Sequence, residues 1–75
     1  MVTDRNIAMA ERLARTRVSA EKMLDVEYPS AQPLDDEDIQ DLAFKITGIK
    51  YEFDSDEADV LATAYIDAYY DAWDE

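Results

Sequence analysis

The side chains of this sequence with chemistry to offer are carboxylates and aromatics, and they are densest in residues 65–75, YIDAYYDAWDE. That stretch holds four aromatics and four acids. Asp67, Asp71 and Asp74 follow the spacing i, i+4, i+7, which places them in one row on a helix. Asp56 falls on the same face, Asp59 beside it, Tyr70 next to the row and Trp73 on the adjoining apolar edge. Carboxylates in such a row repel one another, and negative charge near a helix C-terminus opposes the macrodipole. A local cost of this kind often marks a functional surface. The chemistry on offer is acceptance of Arg or Lys side chains, with Tyr and Trp as the apolar anchors favoured at binding hot spots. The expected partner-binding set is therefore Asp56, Asp59, Asp67, Tyr70, Asp71, Trp73 and Asp74.

Other chemistries fit less well. The chain has no histidine and no cysteine, which removes the commonest general base and the usual soft metal ligands. DSDEADV, residues 54–60, begins like a calcium loop. Such a loop needs Gly at its sixth position and Glu at its twelfth; counted from Asp54, these are Asp59 and Tyr65. The acid clusters Asp35–Asp38 and Asp54–Glu57 read instead as helix starts. There is no Gly-rich phosphate cradle and no base for a nucleophilic serine. No catalytic residue, metal or cofactor is expected, and the chain is read as not an enzyme.

Charge narrows the partners. Net charge is −12, and it is unevenly placed. Residues 1–25 carry five basic side chains against four acids, net +1, whereas residues 26–75 carry Lys45 and Lys50 against fifteen acids, net −13. That asymmetry repels nucleic acid and anionic membrane and favours a basic partner. Arg12, Arg15 and Lys22 are expected to neutralise acids of the other helices. No run approaches the ~20 apolar residues that span a bilayer. The N-terminal segment lacks the apolar core of a secretory signal and carries Asp4 and Glu11, unlike a transit peptide. The expectation is a chain working from Met1 in a cytoplasm.

The elements that must position these groups are helical. At 75 residues the chain is one domain, 1–75, with 48% hydrophobic residues, one Gly and two Pro, a composition suited to helices with few tight turns. The first amphipathic helix is expected from about Asp4 to Val26, with Ile7, Met9, Ala10, Leu13, Ala14, Val18, Ala20, Leu24 and Tyr28 on one side, Arg17 snorkelling or paired at its edge, and Ser19 as a candidate break. Residues 28–33, YPSAQP, form a loop because each Pro turns its predecessor out of the helical region. The second helix opens at an Asp35 N-cap with a Leu34/Ile39 staple, buries Ile39, Leu42, Ala43 and Ile46, and ends at a left-handed Gly48. IKYEF, residues 49–53, is an extended connector whose Ile49, Tyr51 and Phe53 cover the core. The third helix starts with an Asp54-led capping box and runs to about Trp73, with Ala58, Leu61, Ala64, Tyr65, Ala68, Tyr69 and Ala72 inward. The fold class is all-α, a small three-helix domain with one short extended connector.

In size, charge, lack of Cys and His, and the acid–aromatic helix YIDAYYDAWDE, the chain resembles the small acidic inhibitors encoded by phages and mobile elements, including anti-CRISPR proteins and DNA mimics. That resemblance implies inhibition of a host defence nuclease or surveillance complex by occlusion of a basic surface. The residues themselves imply a non-catalytic acidic binding protein whose partner is a basic, nucleic-acid-binding protein. An assembly module or an antitoxin-like cap is the alternative, as a monomer or a small homo-oligomer.

Overall fold

The first two helices begin where the chain can satisfy its own first N–H groups. In a computed structural model that describes residues 2–24, 34–52 and 55–75, α1 spans Asp4–Met23, α2 Asp36–Thr47 and α3 Asp56–Asp74. Thr3 caps α1: its hydroxyl accepts from the Asn6 N–H at 3.2 Å, and Asn6 Oδ1 accepts from the Thr3 N–H at 3.0 Å. Asp35 caps α2 the same way, accepting from the Asp38 N–H at 2.9 Å while the Asp38 carboxylate accepts from the Asp35 N–H at 3.3 Å. These reciprocal pairs answer two orphan donors each. α3 starts differently from the expected Asp54-led box. Its N-cap is Ser55, which makes no side-chain capping bond, and the first turn relies on Asp56, Glu57 and Asp59 against the helix dipole.

α2 ends at Gly48, whose φ of 74° is left-handed and whose N–H reaches the Phe44 carbonyl at 2.7 Å. The connector then folds back: Gln40 donates to the Tyr51 carbonyl at 2.8 Å. Among the described residues there is no strand. The helices hold 20, 12 and 19 residues, about two-thirds of the chain, so the all-α reading is correct. α1 runs unbroken through Ser19; Val26, Tyr28, the 28–33 loop, Phe53 and Asp54 lie outside the described residues.

Partners along α1 and α3 rise together: Arg17 meets Tyr65, Glu21 meets Tyr69 and Trp73, and Lys22 meets Ala72. The two helices are therefore parallel, with α2 packed against both. The α1–α3 seam is built on alanine. Ala10, Ala14 and Val18 face Ala58, Leu61, Tyr65, Ala68, Tyr69 and Ala72, and α2 adds Leu42 and Ala43. Small residues let the backbones approach, and the bulk is supplied by Tyr69, Leu61 and Val18, each buried completely or nearly so. Burial of side chains this large contributes roughly 1.5–3 kcal/mol each.

Several expected core residues are not covered. Leu24 is 77% and Ile49 50% exposed, and Met9 is also outside. Leu24 caps the end of α1 and has left the helical register. Ile49 follows Gly48, and the reversal there carries it past the core while Tyr51 turns in. Ala62, absent from the expected face, is buried. A methyl group is small enough to fit where α3 meets its neighbours at the edge of the apolar arc.

Candidate functional site

α3 has two chemically different sides. Its inner side carries the aromatics, and α1 supplies the groups that satisfy them. Glu21 is the hub. Its Oε2 accepts from the Tyr69 hydroxyl at 2.7 Å and from Trp73 Nε1 at 3.3 Å, while Oε1 accepts from Arg17 Nε at 3.3 Å. Arg17 Nη1 donates to the Tyr65 hydroxyl at 3.4 Å, and its guanidinium lies 5.3 Å from the Tyr69 ring centroid. The hydrogen bond with Tyr65, more than any other contact, holds the Arg17 pKa above its ordinary value; burial works the other way, and the charge of Glu21 adds to the rise. Arg17 is thus the snorkelling, acid-paired residue that its place in the apolar arc suggested.

Lys22 completes this side. Its ammonium donates to the Ala72 carbonyl at 2.9 Å and sits 5.6 Å from the Trp73 ring. α3 has no basic residue in its last turn, yet a cation reaches its carbonyl end from α1. The unfavourable dipole inferred from the acid row is therefore offset across the seam. This also corrects the expected role of the basic helix. Lys22 binds backbone carbonyls, and among the described residues no ion pair joins Arg12 or Arg15 to an acid.

The outer side of α3 carries Asp56, Asp59, Asp67, Asp71 and Asp74, all exposed, with Thr63, Val60 and Tyr70 among them. Six of the seven residues singled out in the sequence thus share one exposed surface. Tyr70 is 37% exposed and packs edge-on against Tyr69, with ring centroids 5.3 Å apart. Trp73 is the exception: it is half-buried, and its N–H is already taken by Glu21. It braces the α1–α3 seam through that bond. From Asp56 to Glu75 there is no Lys or Arg, so the acidic surface has no neutralising group on its own helix.

An open groove of about 570 Å³ between α1 and α2 is floored by Leu13, Leu34 and Leu42 and rimmed by Arg17, Asp38, Asp41 and Lys45. Among the described residues no group of three or more acids is placed to hold a metal ion, and no helix is long and apolar enough to cross a membrane. At the turn into α3, the Tyr51 phenol has its pKa raised, first by its hydrogen bond to Glu57 and then by desolvation.

Glu21 and Lys22 were missed as organising residues. Glu21 stands four residues after Arg17, one turn on along the same edge; that i, i+4 pair was the available signal. Lys22 had none, because its acceptors are backbone carbonyls about 50 positions away. In comparison with known proteins, no family model, curated protein or solved structure matches this chain.

Proposed function

We propose that this chain is a non-catalytic binding protein whose outward α3 face occupies a basic, nucleic-acid-binding surface of another protein, in the manner of phage-type inhibitors of host defence, acting in a cytoplasm. One observation carries the reading: the exposed side of α3 holds five aspartates and no cation, while the cations nearest that helix are turned inward to its aromatics and its carbonyl end. Acids that only kept the chain soluble would be interspersed with Lys or Arg on the same face. Within Asp56/Asp59 and within Asp67/Asp71/Asp74 the carboxylates recur every three or four residues, ~4.5–6 Å apart, the same order as the 3.4 Å phosphate spacing along one DNA strand. Both accept Arg forks. A groove that binds phosphates offers what this face lacks.

The test is capture from the source cell followed by competition. The protein retained on the immobilised chain should be basic and nucleic-acid-binding, and saturation with the chain should displace its nucleic acid. A retained partner that goes on binding nucleic acid at full affinity would count against occlusion.

A further inference from the structure

Three arginines of α1 form no ion pair among the described residues, and their placement needs an explanation. Arg5, Arg12 and Arg15 are exposed, and they fall within about 80° of one another on the side of α1 turned away from Ala10, Ala14 and Val18. Among the described residues none of them is in an ion pair. Three of the chain's seven cations are thus set on one face of a molecule with nineteen acids. Met9 and Met23, 44% and 85% exposed, lie on the same face. It is an unpartnered helix face, basic with apolar side chains between the charges.

The outward side of α3 is its counterpart. It presents acids where α1 presents arginines, with Val60 and Tyr70 exposed among them as the methionines are on α1. Spacing agrees as well. Arg5 to Arg12 and Asp67 to Asp74 are both intervals of seven residues, about 10.5 Å along a helix. Within one copy the two faces cannot meet, because α1 and α3 pack through their other sides.

We propose that the outward face of α1 docks on the acidic α3 face of a second copy of this chain. The contact is head-to-tail, so each copy leaves one α1 or one α3 face open, and association continues past the dimer as concentration rises. The net charge of −12 opposes any contact between copies, but at ~0.1 M salt charges more than about 10 Å apart are screened while the facing rows are not. The contact is therefore weak and salt-sensitive. Since it uses the face assigned above to a foreign partner, such a partner competes with self-association. The proposal does not rest on that assignment, because its test needs only this chain.

Sedimentation equilibrium over a range of concentrations reads it out. At ~0.1 M salt the mass should rise above the monomer with concentration, and at ~1 M salt it should return to the monomer. R5E/R12E/R15E, which makes both faces acidic, and D67K/D71K/D74K, which makes both basic, should each weaken association by about tenfold or more. All six positions are exposed, and unchanged circular dichroism would show that both variants are folded. Mixing the two variants pairs acidic faces with basic ones again and should restore association. A wild-type monomer at every concentration, reversal variants that associate like wild type, or a mixture no more associated than its components would each overturn the proposal.

Discussion

Glu21 accepts three donors, from Tyr69, Trp73 and Arg17, and its replacement shows what a single side chain can hold together. Glu21→Ala removes one acceptor each from a fully buried tyrosine, an indole N–H and a part-buried guanidinium. The expected loss is about 2–4 kcal/mol by chemical denaturation, because unmade bonds to buried donors and to charge cost more than the bonds contribute. Glu21→Gln, which keeps an acceptor oxygen, should lose about half as much. Leu61→Ala opens a void at a fully buried position and should cost roughly 2–5 kcal/mol. At Tyr51 the folded pKa is raised by Glu57. The stability it contributes is complete below the unfolded value of about 10 and is lost as pH climbs through the higher folded value. An alkaline unfolding titration of Tyr51→Phe should lack that portion of the decline. Legibility at this scale depended on distance along the chain. Arg17 sits in an apolar arc with an acid one turn later, so its pairing could be read; the Tyr69 and Trp73 bonds to Glu21 span 48 and 52 positions and could not.

The helices were readable because their signals are local. Asp35 and Gly48 bound α2 as the capping rules require, with Leu34 and Ile39 packed against the core. Gly48→Ala places a Cβ on a left-handed residue and should lower stability by about 1–2 kcal/mol in thermal denaturation, although the space around it is open. α1 was given its start but not its cap, because Asn6 stands where Glu or Gln usually answers the capping threonine. The Asp54 expected to lead a capping box for α3 lies outside the described residues; the N-cap, Ser55, makes no side-chain capping bond, and the helix draws its stability from packing. The end of α3 is held from outside. Lys22→Ala removes the cation at its carbonyls and should cost about 0.5–1.5 kcal/mol. The loss should be localised: amides of residues 70–75 should exchange hydrogen faster while those near Leu61 stay protected. Uniform loss of protection would place Lys22 elsewhere in the fold's energetics.

Seen as a whole, the molecule separates charge by side. Aromatic mass and three charges at the seam, Arg17, Glu21 and Lys22, knit α1 to α3, while the outer surface of α3 is left acidic and that of α1 basic. The acidic surface was legible from the i, i+4, i+7 spacing alone. The place of Trp73 was not, because the same position on the wheel serves an outward anchor or a seam brace, and α1 decides between them. With Trp73 committed inward, Tyr70 is the aromatic left beside the acids, and Tyr70→Ala should speed dissociation of a bound partner more than it slows association. The aspartates themselves test the central claim. Asp67→Asn, Asp71→Asn and Asp74→Asn together relieve like-charge repulsion and should leave the fold as stable as before or slightly more so. The decisive measurement is the affinity of this triple variant for the captured partner at two salt concentrations. The account predicts binding weaker by about tenfold or more at ~0.05 M salt, through slower association, and a flatter dependence on salt than wild type. Equal affinity with an equal salt slope would contradict it and reduce the acidic row to a solvated face.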